Sequence, residues 1–439
     1  MRHSWIASGV GLAVLCAALG VASATSQPPP SVPGVDTASI VANQSVTDNW
    51  PTYGLDYAST RYSVLDEINA QNVGKLGLAW TFDLGSTHHG VEATPLVIGG
   101  VMYVSAPWNI VYAIDAATGE KIWSYNPHVP KKTSIKGCCD VINRGVAAYQ
   151  GKIFEATLDG RLIALDAATG KLVWSVHTVP KDSNYTISGA PLVAQGKVII
   201  GNAGAEYAGV RGYVSAYDAT TGKLDWRWYT VPGDSAHKPE NAAMAAAVQT
   251  WDPKTRYRLK GGGGTVWNDF SYDPKLNLLY FGTGNPVPWN RAFRGGKAWK
   301  DLYTDSIVAL NLTTGKYVWS YQTTPADASD YDADQDLVLA DLKLAGKRVP
   351  VIMQANKNGF FFVLDRRDGH FISAHAFIPQ NWAHGYDKAG RPIETPVLGS
   401  RKPFASVPGP VGGHNWQSMS FSPQTGLVYI PAHHVPLTL

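Results

Sequence analysis

Residues 113–123 read AIDAATGEKIW, and this stretch returns with small changes along the chain. Further copies occupy residues 164–174 (ALDAATGKLVW), 216–226 (AYDATTGKLDW) and 309–319 (ALNLTTGKYVW), and a shorter one, VLDRRDG, occupies 363–369. An apolar run, a polar turn containing Thr-Gly and a second run ending in Trp are typical of a β-hairpin, because glycine adopts the positive φ that such turns need. Each copy therefore predicts two antiparallel strands.

The tryptophans that end the four longer copies are Trp123, Trp174, Trp226 and Trp319, which lie 51, 52 and 93 residues apart. Two intervals share one period, and the third contains an insertion. Periods near 50 residues with four short strands per unit are typical of a β-propeller, whose blades pack face to face around a central channel. We therefore predict an all-β propeller with about six blades and the recurring Trp packed between them. A β-sandwich with coincidental turns is the alternative.

The first 24 residues have the features of a secretory signal peptide. Arg2 gives a positive start, residues 5–21 are apolar, and residues 22–24 (ASA) form a small-residue cleavage site. Arg2 is the only charged residue in this segment, so its removal takes the 37 basic residues to 36, against 34 acidic ones, a formal charge of +2. This near balance argues against electrostatic binding of nucleic acid or of an anionic membrane. We expect an exported, periplasmic protein with a small-molecule partner.

Residues 25–48 are rich in Pro, Ser and Val and lack helical periodicity, so we predict a flexible segment there and the propeller from residue 49 to residue 439. Cys16 lies in the signal peptide. Cys138 and Cys139 are the cysteines that remain after export, in a compartment that permits disulfides. Two adjacent cysteines can form a vicinal disulfide or stay as thiols, and adjacency alone leaves both open.

The repeats, together with GCCDVINR at residues 137–144, GGGGTVW at 261–267, GTGNP at 282–286 and SDYD at 329–332, resemble the quinoprotein alcohol dehydrogenases. Members of that family are periplasmic enzymes that use pyrroloquinoline quinone (PQQ) and a metal ion in an eight-bladed propeller. The resemblance runs from about Trp50 to the end of the chain. Because the family closes its ring by joining N- and C-terminal strands, the resemblance implies that the C-terminal blades are missing from this chain.

The resemblance implies a quinone held between two flat walls. A vicinal disulfide of Cys138 and Cys139 covers one face, and Trp267, which follows a run of four glycines, stacks on the other. Arg144 matches a ligand of a cofactor carboxylate, a role that suits a guanidinium because it can donate two parallel hydrogen bonds. Further cofactor contacts are implied at Glu92, Ser188, Ala205, Lys357 and Asn415, with Ser188 in place of the more usual threonine.

The metal ligands implied by the resemblance are Glu206, Asn285, Asp330 and Asp332. Carboxylate and amide oxygens suit Ca²⁺ or a larger hard cation and suit zinc poorly. The Asp-Tyr-Asp pattern at 330–332 is that of lanthanide-dependent members, and the extra carboxylate favours a trivalent ion by charge balance. We expect one Ca²⁺ or lanthanide ion, with the lanthanide favoured. A solvated loop acid is the alternative role for Asp332.

The implied reaction is oxidation of a primary or secondary alcohol to a carbonyl compound, with Asp330 as general base and Lys357 stabilising charge on the quinone carbonyl. The sequence has no Cys-x-x-Cys-His haem motif. We therefore expect electrons to pass to a separate acceptor, most simply a cytochrome c, unless a haem domain lies beyond this chain. We expect no membrane span after signal removal. The sequence does not decide between a monomer and a homodimer. The alternative is a non-catalytic propeller scaffold of the cell envelope, or an inactive fragment of such an enzyme.

Two departures from the family pattern bear on the site. Ser329 precedes Asp330 where the family usually has tryptophan, so we expect a wider or differently walled substrate pocket. The run from Tyr207 to Arg211 is one residue longer than usual, which alters the loop after Glu206.

Overall fold

The structure is a computed structural model that describes residues 34–86, 88–180, 182–206, 209–233, 238–255, 261–398 and 402–438. The signal peptide predicted at residues 1–24 lies outside these ranges, as do Tyr207 and Ala208 of the lengthened loop. Within the described ranges, no helix combines the length and the apolar character that crossing a bilayer requires.

Five four-stranded antiparallel sheets follow one another along the chain, each with its strands in sequence order. The first contains β1 (Leu96–Ile98), β2 (Val101–Ala106), β3 (Ile110–Asp115) and β4 (Lys121–Tyr125), and the second contains β5 (Ala147–Tyr149), β6 (Lys152–Ala156), β7 (Arg161–Asp166) and β8 (Leu172–His177). The third contains β9 (Leu192–Ala194), β10 (Lys197–Ile200), β11 (Tyr213–Asp218) and β12 (Leu224–Tyr229). The fourth contains β13 (Phe270–Asp273), β14 (Leu278–Gly282), β15 (Ser306–Asn311) and β16 (Tyr317–Gln322), and the fifth contains β17 (Val338–Leu344), β18 (Lys347–Ala355), β19 (Phe360–Asp365) and β20 (Phe371–Ala376).

Shorter elements complete the described chain. The strands are β21 (Ala383–Tyr386), β22 (Pro392–Glu394), β23 (Ala405–Ser406), β24 (Ser420–Ser422), β25 (Leu427–Tyr429) and β26 (Leu437–Thr438), and the helices are α1 (Thr37–Asn43) and α2 (Ala242–Val248). β21 pairs with β22, β23 with β26, and β24 with β25. Five complete blades and the β24–β25 hairpin as the start of a sixth agree with the predicted all-β propeller of about six blades.

The repeat forms the turn between the third and fourth strands of each blade. In the second blade the Asp166 carboxylate accepts hydrogen bonds from the backbone N–H and the hydroxyl of Thr169, at 2.9 and 2.7 Å. Gly170 follows with φ +68°, a conformation that glycine adopts without the Cβ penalty of other residues. The Asp, Thr and Gly of the repeat therefore specify the turn, as predicted.

Each repeat tryptophan lies on the outermost strand of its blade and packs on the glycine of the corresponding turn in the next blade. Trp123 donates its indole N–H to the carbonyl of Ala167 at 2.9 Å, and a Cβ built on Gly170 would lie 2.6 Å from the indole ring. The same contact joins Trp174 to Gly222, Trp226 to Gly315 and Trp319 to Gly369. The predicted packing of the recurring Trp between blades is confirmed.

Trp80 makes this contact one blade earlier, which the sequence pattern did not indicate. Its indole N–H donates to the carbonyl of Ala116 at 3.2 Å, and its ring covers Gly119 of the first blade. The neighbouring Leu76 and Leu78 are 61% and 82% exposed. Trp80 thus occupies the position of an outermost-strand residue of a preceding blade, and the described residues contain no inner strands for that blade.

The insertion in the 93-residue interval is divided between two places. One part, with α2, lies between β12 and β13, and the other part, residues 283–305, joins β14 to β15. The first strands of successive blades are neighbours, β5 with β9, β9 with β13 and β13 with β17, so they surround the axis. The segments that precede these first strands therefore converge.

Residues 34–48 differ from the flexible segment predicted for residues 25–48. The Asp36 carboxylate accepts the Ser39 backbone N–H at 2.7 Å, and the Ser39 hydroxyl accepts the Asp36 N–H at 2.8 Å, so a capping box begins α1. Ile40 is buried in the core beside Tyr57. The helix has seven residues, which are too few to show a 3.6-residue period in the sequence.

Candidate active site

A cavity of about 440 Å³ lies where the segments preceding the first strands converge. The predicted site residues that line it are Glu92, Cys138, Cys139, Arg144, Ser188, Glu206, Trp267, Asn285, Asp330, Asp332, Lys357 and Asn415. Ala205 does not line it: the residue is buried, and Ala203 and Gly204 form the wall there instead. Residues 323 positions apart in sequence thus share one space, because each blade contributes residues to it, and the second to fifth blades do so both from the segment before their first strand and from the loop between their second and third strands.

The Sγ atoms of Cys138 and Cys139 are bonded, so the vicinal disulfide is present, and both residues are exposed at the cavity. Asp140 holds this loop. Its carboxylate lies 2.7 Å from Nδ1 of His89 and accepts the Gly90 backbone N–H at 3.0 Å. Partial burial works against ionisation of Asp140, but its hydrogen bonds to backbone N–H groups and to His89 outweigh burial and lower its pKa.

Arg144 lies at the Trp267 side of the cavity and is almost fully buried. Its guanidinium donates to the Ser188 hydroxyl at 2.8 Å, pairs with the Glu92 carboxylate at 2.9 Å and lies 4.9 Å from the centroid of the Trp267 ring. Burial raises the pKa of Glu92, and the Arg144 charge opposes this rise. Nε of Arg144 has no hydrogen-bond partner among the described residues. Arg144 also lines the cavity, so its guanidinium can pair with an acidic ligand there.

Lys357 joins the two aspartates of the Asp-Tyr-Asp pattern. Its Nζ lies 3.1 Å from Oδ2 of Asp330 and 2.7 Å from Oδ2 of Asp332. Burial lowers the pKa of Lys357, but the charges of the two carboxylates outweigh burial and raise it above its ordinary value. Burial raises the pKa of Asp330 well above its usual range; the Asp332 charge adds to this rise and Lys357 opposes it. Asp332 is 4% exposed, so its alternative role as a solvated loop acid is wrong.

The remaining predicted metal ligands lie beside this cluster. The backbone N–H of Asn285 donates to Oδ1 of Asp332 at 2.7 Å. Glu206 is exposed at the cavity wall, yet partial desolvation and the Asp332 charge raise its pKa. Within the described ranges, no three His, Cys, Asp or Glu side chains are arranged as a ready metal site. The oxygen donors share one wall, but the Lys357 ammonium lies between two of them.

Sequence reasoning missed the apolar part of the cavity wall, which is formed by Leu158, Trp289, Pro410, Val411 and Trp416. Trp416 directly follows Asn415 and Trp289 follows Asn285 by four residues, so proximity to predicted site residues was the available signal. Ser329 is fully buried and does not line the cavity, and the wider or differently walled pocket expected from the replacement of tryptophan stays a prediction.

A propeller cavity lined by a vicinal disulfide, an indole, a guanidinium and an aspartate–lysine cluster defines a quinoprotein-like centre. Residues 50–379 match the PQQ family described as glucose/ethanol/alcohol dehydrogenase, β-propeller domain, and the chain belongs to this family.

Three similar proteins give the scale of the match. The quinohemoprotein alcohol dehydrogenase of Comamonas testosteroni is 54% identical to this chain, and the match covers all of this chain and 62% of the relative. The crystal structure of the quinohemoprotein alcohol dehydrogenase from that organism superposes with a TM-score of 0.90 at 56% identity, and the superposition covers 92% of this chain and 60% of that one. A 1-butanol dehydrogenase (cytochrome c) of Thauera butanivorans is 50% identical over 89% of this chain and 56% of its own length. A europium-containing methanol dehydrogenase structure gives a TM-score of 0.83 at 40% identity, covering 90% of this chain and 70% of that one. The chain thus spans about 60% of the length of the curated relatives it matches.

Proposed function

We propose that this chain is the PQQ-binding propeller of a periplasmic dehydrogenase that oxidises a primary or secondary alcohol to a carbonyl compound. The observation that carries the proposal is the cavity, which gathers the disulfide and Arg144, Trp267, and the Asp330–Lys357 pair from three different blades. Burying charged groups costs free energy unless they are paired, and packing of blades does not require them. A scaffold has no physical reason to keep this set.

The cavity fits a planar, acidic cofactor. The disulfide and the Trp267 ring supply flat walls, and Arg144, oriented by Ser188 and Glu92, lines the cavity where its guanidinium can pair with a carboxylate. When bound, PQQ supplies a hydride acceptor and a hard cation supplies Lewis acidity. Cys138, Cys139 and Trp267 would hold the ring plane, and Arg144 would hold its carboxylate end.

Asp330 is the proposed general base that takes the proton of the substrate hydroxyl. It has to be ionised to do so. Burial and Asp332 favour its neutral acid, whereas the Lys357 ammonium 3.1 Å away favours the carboxylate. Lys357 therefore has two proposed tasks: it keeps Asp330 charged, and it donates toward oxygen on which negative charge develops.

Glu206, Asn285, Asp330 and Asp332 are the residues we propose to hold the metal ion. Binding requires the Lys357 ammonium to give up at least one of its two carboxylates, since a cation and an ammonium repel each other. Asp332 adds a buried negative charge to the set, which favours a trivalent lanthanide over Ca²⁺. The likeness to a europium-containing methanol dehydrogenase supports this preference.

A separate cytochrome c is the proposed electron acceptor, and the Thauera relative, whose name includes cytochrome c, supports it. The periplasmic location rests on the signal-like residues 1–24. The second candidate is an inactive fragment or a scaffold. The exposed Leu76 and Leu78 beside Trp80 favour it, because they mark a blade that the described residues do not complete.

Reconstitution separates these candidates. Purified protein is titrated with PQQ in the presence of Ca²⁺ or La³⁺, with tryptophan fluorescence reporting binding, and is then assayed with a dye acceptor and an alcohol panel. We expect saturable quinone binding and turnover, and we expect Asp330→Asn to bind quinone without turnover. Binding without turnover in the parent chain supports the inactive fragment, and absence of binding supports the scaffold.

A further inference from the structure

Arg294 is a buried cation that the proposed chemistry does not use. It lies in the loop that joins β14 to β15, ends a short 3₁₀ helix (Arg291–Arg294) and is 1% exposed. Its Nε pairs with Asp301 at 2.9 Å, and Nη1 donates to the carbonyl of Trp289 at 2.7 Å and to that of Pro288. Its Nη2 donates to the carbonyl of Asp327. One guanidinium thus bonds to two separate segments of the cavity surroundings.

The first segment is the turn that carries Asp330. The Asp327 carboxylate accepts the backbone N–H groups of Ser329 at 3.1 Å and of Tyr331 at 3.1 Å, the residues on either side of Asp330. Asp330 itself has φ +61°, a left-handed conformation that is costly for a residue with a side chain. Such a turn keeps its shape when its surroundings hold it. Arg294 does so through the Asp327 carbonyl.

The second segment is the wall of the cavity. Trp289 lines the cavity, and its backbone carbonyl is one of the acceptors of Arg294. Asp301, which anchors Nε, is 1% exposed, and its own backbone N–H donates to Thr250 at 3.0 Å. Asp301 is therefore fixed to the insertion between β12 and β13, which contains Thr250. The Arg294 guanidinium consequently has little freedom to move.

We propose that Arg294 is a positioning residue for the alcohol oxidation proposed above, holding the Asp330 turn and the Trp289 wall at a fixed separation. The inference rests on the proposed function for its effect on turnover, but the coupling of the two segments does not depend on activity. A lysine has one compact ammonium in place of the planar fork, so it cannot reach the Asp301 carboxylate and the carbonyls of Trp289 and Asp327 together, as the guanidinium does. Displacing a base by about 1 Å costs on the order of 100-fold in rate.

The test compares Arg294→Lys with Arg291→Lys. Arg291 is a matched control, since it is also buried in the same short helix but donates to Leu398 at 2.7 Å and pairs with Glu394, away from the Asp330 turn. Hydrogen–deuterium exchange is read in peptides covering 286–301 and 323–332. Quinone binding and steady-state kinetics with a small and a bulky alcohol are measured on the same preparations. Asp301→Asn is a milder second variant that keeps the carbonyl bonds of Arg294 and weakens its anchor by removing the negative charge that pairs with Nε.

We expect Arg294→Lys to exchange faster in both segments, to bind quinone within about threefold of the parent, and to lose at least tenfold in kcat for both alcohols. KM should rise more for the bulky alcohol than for the small one, because the separation between the Trp289 wall and the Asp330 turn is no longer fixed. Arg291→Lys should leave exchange in 323–332 and kcat unchanged, and Asp301→Asn should show the same direction of change as Arg294→Lys with a smaller size.

Unchanged exchange in 323–332 in the Arg294→Lys protein overturns the inference, as does a kcat loss that Arg291→Lys reproduces. If Arg294→Lys does not fold, Asp301→Asn decides by the same exchange criterion. If the parent chain binds quinone but oxidises no alcohol, the proposed function fails while the exchange data still test the coupling.

Discussion

The contact between Trp123 and Gly170 can be tested by placing a single methyl group in two turns of the same blade. Gly170→Ala and Gly151→Ala each put a Cβ at a positive φ, +68° and +73°. The two sites differ in their surroundings: a Cβ at Gly170 would lie 2.6 Å from the Trp123 ring, whereas one at Gly151 has no heavy atom within 4 Å. Gly151→Ala therefore measures the backbone cost alone.

The expected magnitudes follow from these two environments. A left-handed alanine costs about 1–2 kcal/mol, offset by about 0.4–1 kcal/mol from the lower entropy of the unfolded chain, so Gly151→Ala should lose at most about 1.5 kcal/mol. Gly170→Ala adds overpacking of about 1–3 kcal/mol, because the indole is 9% exposed and its N–H is bonded to the Ala167 carbonyl. Gly170→Ala should thus be less stable than Gly151→Ala by about 1–3 kcal/mol.

Urea unfolding followed by circular dichroism gives both free energies, provided that the slopes agree between variants. A thermodynamic cycle with Trp123→Ala supplies the control. Once the ring is removed, Gly170→Ala should lower the free energy of unfolding by no more than Gly151→Ala does. The coupling energy between Trp123→Ala and Gly170→Ala should then be about 1–3 kcal/mol. Equal losses for the two glycine variants, or additive losses in the cycle, would refute the interpretation that the Trp123 ring packs too closely on Gly170 to admit a side chain there.

Three further predictions concern the cavity and its surroundings. Arg144→Lys should raise the dissociation constant of PQQ at least about tenfold in a fluorescence titration, because an ammonium cannot keep both partners of the guanidinium; an unchanged constant contradicts its role. Lys357→Met should lower dye-linked turnover by at least about 100-fold while lanthanide binding, measured by calorimetry, becomes tighter, since no ammonium then competes for the two aspartates; weaker binding contradicts this account. Burial raises the pKa of Asp301 from 3.8 to about 6 although Arg294 opposes the rise and Asp252 adds to it. The folded state then holds this proton more tightly than the unfolded state, so the stability of the parent relative to Asp301→Asn should fall by about 3 kcal/mol between pH 4 and pH 6 and stay level above; a difference that does not change with pH contradicts it.

The blades could be predicted from the sequence because each one is a local unit. Asp166, Thr169 and Gly170 form their turn among themselves, so the residues that specify it are consecutive. Trp80 belongs to the same series of contacts but lacks a Thr-Gly turn of its own nearby, and it was therefore missed. The short helix α1 was missed because its stability comes from its capping box and from burial of Ile40, which periodicity does not report.

The site could be predicted by resemblance and only in part by chemistry. The adjacency of Cys138 and Cys139 is visible in the sequence, but nothing local brings Glu92 and Asn415 to the same cavity, because the ring of blades does so. Arg294 resembles an ordinary loop cation in sequence. Its burial and its bonds to two segments arise from tertiary packing, which a single sequence does not display.

The contact of Trp80 with Gly119 also has a consequence for the order of folding. Both partners, and the whole first blade, lie within the first 125 residues, so the contact can form early in synthesis, before the later blades leave the ribosome. The segment around Trp80 is then held on a finished blade while the later blades are still being made. Because the two partners lie only 39 residues apart, the loop-closure entropy of ordering this segment is met locally and early.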